Sequence, residues 1–184
     1  MINGEIKVYF VEESYPWRHW LISDFLSTED FKKVKKTHEK IPVDEYTNIH
    51  VNYLKQGPVK SILDKAMREF AEKIDYDMDG KCVEAALVNM LPNIKYNKIH
   101  CDADWKIATL VLGIGDTGTG THIYEKKDPA YYINTTTYKQ NGGMLFFRKP
   151  NVTWHDYDSI GMEDIRRTAL IWITTNELQN EFRT

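Results

Sequence analysis

The feature that most constrains the fold is a change of pattern part-way along the chain. Apolar residues first recur at helical spacing; beyond residue 80 they form short runs rich in β-branched and aromatic residues. The runs are CVEAALVNML, KIATLVLGI, THIYEK, GGMLFFR and RRTALIWITT, with Gly, Pro, Asn and Asp between them. Helices followed by a series of strands predict an α+β domain, mainly β, in which helices brace an antiparallel sandwich or barrel.

Two stretches before these runs predict helices. Ser27 suits the N-cap of the first helix, with Asp30 three residues further on. Pro58 suits the first turn of the second helix. Its apolar residues keep the spacing of one buried face: Val59, Ile62, Leu63, Ala66, Phe70 and Ile74. A short strand, WLIS, is expected just before the first helix.

Length and composition narrow the class of protein. A chain of 184 residues without an internal repeat or linker is expected to form a single domain over 1–184. Its net charge of -3 argues against a nucleic-acid partner, which would need a basic surface. No apolar run is long enough to span a membrane, and Cys82 and Cys101 are too few for a disulfide framework. We therefore expect a cytoplasmic protein.

The stretch 113–143 is the least regular part of the second half, combining GIGDTGTGT with DPAYYINTTTYKQN. Loops of such length in a compact domain are usually functional or disordered. Tyr131 and Tyr132 are candidates to touch a substrate there.

A candidate metal site begins at the strand KIATLVLGI. His100 and Asp102 precede it two residues apart, so on an extended chain both side chains point to one face. Alone, this pattern also fits a polar strand end that faces water. A second histidine, His155, follows the strand GGMLFFR, and Arg167 opens the last apolar strand. Two histidines and one carboxylate on one face of a metal, with other positions open, are typical of non-haem Fe(II) oxygenases.

In these residues the chain resembles the Fe(II)/2-oxoglutarate-dependent dioxygenase superfamily, nearest its prolyl-hydroxylase-like branch. The signature is His-x-Asp…His…Arg, carried here by His100, Asp102, His155 and Arg167. The stretches WLISDFLSTEDF, GTGTHIYEK and NGGMLFFR are similar as well, and the resemblance runs from about residue 20 to residue 174.

The resemblance implies a double-stranded β-helix, or jelly roll, braced by the N-terminal helices. It implies that His100, Asp102 and His155 bind Fe(II), and that Arg167 pairs with the far carboxylate of the co-substrate 2-oxoglutarate. With O2, such an enzyme hydroxylates a C–H bond and releases succinate and CO2. No catalytic residue beyond the metal ligands is implied.

The chain departs from the family pattern beside Arg167. Many relatives have a hydroxyl residue two positions after the arginine, but Ala169 stands there. Another strand must then supply the hydroxyl, and the candidates are Tyr96, Thr109 and Thr121. Arg166 is a rival for the co-substrate site, although Arg167 better fits an arginine followed by small apolar residues. On a strand, only one of the two arginines can face the pocket.

The same residues are also consistent with other functions. A cupin-like enzyme could hold a metal with the same residues without 2-oxoglutarate, and a non-catalytic barrel could bind only a partner. His122 is a weaker candidate ligand, and Asp104 is more typical of a turn residue. The resemblance favours a protein or peptide side chain as substrate, with a small molecule as the alternative; the acidic chain makes an alkylated nucleobase less attractive.

Overall fold

The structure, a computed structural model, describes residues 8–95 and 98–175. These residues form two α-helices, one short 3-10 helix and ten strands. The helices are α1 (Thr28–His38) and α2 (Pro58–Lys73), and the 3-10 helix is Pro129–Tyr131. The strands are β1 (Tyr9–Glu13), β2 (His19–Ser23), β3 (Ile49–Tyr53), β4 (Lys81–Met90), β5 (Lys106–Gly113), β6 (His122–Tyr124), β7 (Tyr132–Thr135), β8 (Gly143–Phe147), β9 (Trp154–Asp156) and β10 (Arg166–Thr175).

Both helices begin where the sequence predicts. The hydroxyl of Ser27 accepts a hydrogen bond from the backbone N–H of Asp30 at 3.1 Å, which satisfies one of the free donors of the first turn of α1. Pro58 occupies the first position of α2, where its missing N–H has no cost. The buried residues of α2 follow one stripe: Val59, Leu63, Met67, Phe70 and Ala71.

The ten strands form two antiparallel sheets. The large sheet has seven strands in the order β1-β2-β8-β5-β10-β4-β3, and the small sheet has three in the order β7-β6-β9. Every pair of neighbouring strands runs antiparallel. The prediction of a mainly β chain with antiparallel sheets and two helices is therefore confirmed.

The main core lies between the helices and one face of the large sheet, which we call the helix face. Leu110 of β5 and Ile171 of β10 are fully buried there, together with Val34 of α1 and Leu63 of α2. Alternate residues of each strand contribute: Val83, Ala85 and Leu87 from β4, Ala108, Leu110 and Leu112 from β5, and Ala169, Ile171 and Ile173 from β10. Side chains of a strand alternate between the two faces of a sheet, so these residues all point to the side that the helices cover.

A smaller core joins the two sheets. Ile123 of β6 packs with Met144 and Phe146 of β8 and with Trp17. Met144 and Phe146 flank Leu145, which belongs to the core beneath the helices. The opposite side of the large sheet therefore faces the small sheet, and we call it the inner face.

The stretch 113–143 contains more regular structure than the sequence predicts. Besides the expected β6, it includes the 3-10 helix and β7. β1, β3, β7 and β9 were not predicted either. β1 and β3 are sheet edges with largely exposed side chains, and β7 and β9 have four and three residues, so none of them shows a readable apolar pattern.

Among the described residues, no helix is both long and apolar enough to cross a membrane. The cytoplasmic location stays a prediction.

One buried histidine makes the stability of the fold dependent on pH. His38, at the end of α1, is fully buried, and burial together with the charge of Arg167 lowers its pKa to about 4. The unfolded chain, with a histidine pKa near 6.5, binds this proton more readily. The contribution of neutral His38 to the free energy of unfolding is therefore fully present above pH 6.5. As the pH falls towards 4, the free energy of unfolding decreases by on the order of 3 kcal/mol.

We expect His38→Leu to flatten the loss of unfolding free energy between these pH values, as followed by urea denaturation. A slope identical to that of the unchanged protein would contradict the role given to His38.

Candidate metal centre

The structure brings His100, Asp102 and His155 together. One ligand atom from each lies within 4.8 Å of the others. His155 lies on β9, and an isolated antiparallel bridge pairs it with His100, with both backbone hydrogen bonds at 3.0 Å. Asp102 follows two residues after His100 and so reaches the same side of the chain. Residues far apart in sequence are thus held in one site by strand pairing.

Backbone carbonyl groups fix how the two imidazoles can bind a metal. Nδ1 of His100 lies 2.7 Å from the carbonyl oxygen of Lys98, and Nδ1 of His155 lies 2.9 Å from that of Thr153. Because a carbonyl oxygen only accepts, each Nδ1 must carry the hydrogen. Nε2 of each ring is therefore the nitrogen that can coordinate a metal.

Burial also keeps His155 neutral. The side chain is buried against the ring of Phe146, at 4.7 Å between ring centroids. This burial lowers the pKa of His155 to about 4, although Asp102 opposes the shift. At neutral pH the imidazole therefore needs to lose no proton before it binds a cation.

Three side chains hold Asp102 in place. Lys106 Nζ lies 2.6 Å from Oδ1, and the hydroxyl of Thr109 donates to Oδ2 at 2.5 Å. Nε of Arg148 donates to the backbone carbonyl of Asp102 at 2.7 Å. Burial opposes ionisation, but His155, Lys106 and the hydrogen bonds from Lys106 and Thr109 to the carboxylate outweigh it and lower the pKa of Asp102. The carboxylate is therefore ionised and fixed in orientation.

The two arginines that open β10 point to opposite faces of the large sheet. Arg167 lies two residues before Ala169, a member of the core beneath the helices, so it is on the helix face. Its charge accordingly acts on His38 of α1. Arg166 is on the inner face, as is Thr109, which alternates with Ala108 and Leu110 in β5. Since Thr109 contacts Asp102, the inner face is the one that carries the three candidate ligands.

Arg166 and Thr168 form a polar site on this inner face. Arg166 is 3% exposed, its Nε donates to the carbonyl of Thr119 at 3.3 Å, and its guanidinium lies 5.0 Å from the centre of the Tyr157 ring. Thr168 stands two residues further on, and its buried hydroxyl has no hydrogen-bond partner among the described residues. A cation and an unpartnered hydroxyl on one face are suited to a carboxylate.

The remaining predicted co-substrate contacts are spread out. Thr109 donates its hydroxyl to Asp102. Thr121 is buried beside β6, where its backbone N–H bonds to the hydroxyl of Thr136. Tyr96 lies outside the described residues. The roles given to these three residues stay predictions.

Two other acidic or imidazole groups do not join the cluster. His122 contacts Asp158 at 3.2 Å and Thr135 at 2.6 Å, and is not among the three clustered ligands. Asp104 is 94% exposed and forms an ion pair with Arg148. Sequence reasoning missed Lys106, Arg148 and Thr168, although the spacing of Thr168 from Arg166 was a usable signal.

The hydroxyl of Thr109 gives a testable contribution to the metal centre. Groups that orient a metal ligand contribute about 10-fold to 100-fold in metal affinity. We therefore expect Thr109→Val to weaken Mn(II) binding at least about tenfold in calorimetry. Thr109→Ser keeps the donor and should bind Mn(II) like the unchanged protein; equal losses in both variants would mean that packing, not the hydrogen bond, is responsible.

Several solved protein structures share this fold. An IDO from Bacillus thuringiensis matches over 86% of this chain and 93% of its own, with a TM-score of 0.61 and 11% identity. A 2OG-Fe(II) oxygenase family protein from Burkholderia pseudomallei matches over 83% and 81%, with a TM-score of 0.59 and 11% identity. A prolyl-4-hydroxylase from Pseudomonas putida matches over 85% and 92%, with a TM-score of 0.58 and 11% identity.

These matches confirm, at the level of the fold, the resemblance predicted from the sequence. No family model matches the chain, and no curated protein matches its sequence. At 11% identity, the activity of this chain has to be argued from its own residues.

Proposed function

We propose that this chain is an Fe(II)- and 2-oxoglutarate-dependent oxygenase that hydroxylates a C–H bond of a protein or peptide side chain or of a small molecule. The observation that carries the proposal is the cluster of His100, Asp102 and His155, whose ligand atoms lie within 4.8 Å, on a fold shared with 2OG-Fe(II) oxygenases. We propose further that the two sheets form a double-stranded β-helix within one domain.

The three residues fit ferrous iron. Two imidazoles and one ionised carboxylate are the ligand set of the facial triad, which leaves positions for a co-substrate and O2. Bound there, iron would supply oxygen activation with release of succinate and CO2. A closed structural zinc site would favour cysteine ligands, and none of the described residues adds a cysteine to the cluster.

For the far carboxylate of 2-oxoglutarate, our proposal replaces Arg167 with Arg166. The observations behind this change are that Arg167 lies on the helix face, whereas Arg166 shares the inner face with Thr109 and the cluster. Thr168 then supplies the hydroxyl two positions after the arginine that was missing beside Arg167. Its buried oxygen without a partner can donate to the same carboxylate.

The roles of the chain are to bind, orient and exclude water. Lys106 and Thr109 orient Asp102, and the carbonyls of Lys98 and Thr153 orient the imidazoles. Phe146 packs on His155 and keeps water from that side of the site. We assign Thr109 to orienting Asp102 and not to binding 2-oxoglutarate, because its hydroxyl hydrogen is already donated to Asp102.

The proposal is tested by anaerobic titration of the protein with Fe(II) and 2-oxoglutarate, followed by exposure to O2. We expect stoichiometric metal binding, 2-oxoglutarate binding that depends on the metal, and slow release of succinate even without substrate. Metal binding with no affinity for 2-oxoglutarate would instead favour a cupin-like enzyme. Absence of both would refute the proposal.

A further inference from the structure

Beside the metal cluster, a lysine is enclosed by two tryptophans. Lys106 Nζ lies 5.3 Å from the ring centre of Trp105 and 4.8 Å from that of Trp172, and the two indoles lie 5.7 Å apart, edge to face. The lysine side chain is 14% exposed. We call Trp105, Lys106 and Trp172 the lysine–tryptophan subsite.

The indole N–H of Trp172 has no partner in this subsite. Trp172 is 3% exposed, and its Nε1 is buried without a hydrogen bond among the described residues. A buried donor left unpaired costs on the order of 1 to 3 kcal/mol. Lys106 also has donors to spare, because the ammonium carries three hydrogens and Asp102 Oδ1 accepts one. The unpaired indole N–H of Trp172 and the remaining ammonium hydrogens of Lys106 point to a ligand that accepts.

The subsite is distinct from the proposed co-substrate site. Trp172 pairs in register with Thr109, the residue that donates to Asp102, so the indole lies on the inner face beside the cluster. Arg166 and Thr168 lie at the other end of the same strand face. A ligand of the lysine–tryptophan subsite therefore lies next to the proposed iron position, where a substrate must reach.

Local charge selects the chemistry of that ligand. Lys106 is the cation of the subsite: its ammonium contacts the carboxylate of Asp102, whereas Arg148 donates to the backbone carbonyl of Asp102 and pairs with Asp104. A cationic ligand would be repelled by Lys106. The nearest acid on the adjoining strand is Glu84, the register partner of Trp172 on β4, which lies on the side of Trp172 away from β5. The acceptor is therefore expected on the Lys106 side.

Apolar surface continues from the subsite across the inner face. Tyr53 of β3 lies 6.0 Å from Trp172 between ring centres and is 60% exposed. Val51, two residues earlier on the same face of β3, is 44% exposed. An apolar body joined to the accepting group can pack along these residues.

We propose that the lysine–tryptophan subsite binds a carboxylate of the substrate, with the apolar body of that substrate packed on Tyr53 and Trp105. The proposal rests on the proposed function, because it takes the cluster beside the subsite as the reaction centre. It narrows the substrate class to apolar or aromatic molecules, or side chains, that carry a carboxylate near the carbon to be oxidised.

The test compares 3-phenylpropionate with 3-phenylpropanamide, which differ only in the carboxylate. Protein loaded with Mn(II) and saturating 2-oxoglutarate is titrated with each probe, and tryptophan fluorescence reports binding. We expect the acid to bind at least about tenfold more tightly than the amide, since a hydrogen bond to a charged group contributes that much. Lys106→Met should abolish this difference, and Trp172→Phe should reduce it.

Lys126→Met is the matched control, because Lys126 also lies over an aromatic ring, 4.2 Å from that of Tyr131, but on a segment apart from the cluster. It should leave the preference for the acid unchanged. Equal binding of acid and amide, no saturable binding of the acid, or a preference that survives Lys106→Met would overturn the proposal. Displacement of 2-oxoglutarate by the acid would also overturn it, since the acid would then occupy the co-substrate site.

Mn(II) and 2-oxoglutarate binding are measured in the same samples before either probe is added. Failure of those two steps counts against the proposed function, whereas failure of the acid–amide comparison alone counts only against the subsite.

Discussion

Replacing Arg166 with methionine is expected to weaken 2-oxoglutarate binding at least about 100-fold, while Arg167→Met leaves it nearly unchanged. The guanidinium of Arg166 can give a carboxylate two charge-assisted hydrogen bonds on the inner face, and methionine can give none. Arg167 faces the helices, where its charge acts on His38. The measurement is calorimetric titration of the Mn(II)-loaded variants with 2-oxoglutarate.

Both variants remove one positive charge and keep a long side chain at adjacent positions, so each controls for the other. Mn(II) affinity should stay the same in both, because neither arginine is among the clustered ligands. A larger loss of 2-oxoglutarate affinity in Arg167→Met than in Arg166→Met would reverse our assignment of the two faces.

The second large effect is expected from His155→Ala, which should weaken divalent-metal binding by more than about 100-fold. Loss of a group that merely orients a ligand already costs 10-fold to 100-fold, and this change removes a ligand atom itself. His122→Ala is the matched control: His122 is on the neighbouring strand β6, but its ring contacts Asp158 and Thr135. Mn(II) binding by calorimetry measures both.

Thermal unfolding separates a lost ligand from a lost fold. Metal that binds only the folded chain raises the unfolding temperature of the unchanged protein and of His122→Ala. His155→Ala should unfold cooperatively but show no such rise. A metal-dependent rise that persists in His155→Ala would mean that the cluster is not the binding site.

Much of the fold could be predicted because its strongest patterns are local. The N-cap at Ser27 and the proline that opens α2 are signals within one turn of helix, and the buried strands β4, β5 and β10 are continuous apolar runs. β7 and β9 could not be predicted, because strands of three or four residues are too short to show an alternating apolar pattern. Their pairing with β6 is set by the rest of the chain.

The three clustered residues were readable from sequence because their types and order carry the chemistry. The choice between Arg166 and Arg167 could not be made in the same way, because the two are chemically identical and differ only in the face to which the strand turns them. From the sequence, Arg167 was preferred only because small apolar residues follow it. The pairing of β10 with β4 and β5 was needed to decide which arginine lies on the inner face of the large sheet. The contact between Lys106 and Asp102 also depends on how the chain turns into β5.

The bridge between His100 and His155 has a consequence for how the protein matures. Because the two candidate ligands are opposite one another in a single antiparallel bridge, a slip of one residue would turn one imidazole away from the other. Only chains with the correct register would then bring the three candidate ligands together. A metal bound there, as proposed, would stabilise the correctly paired chains against unfolding and would not stabilise the others.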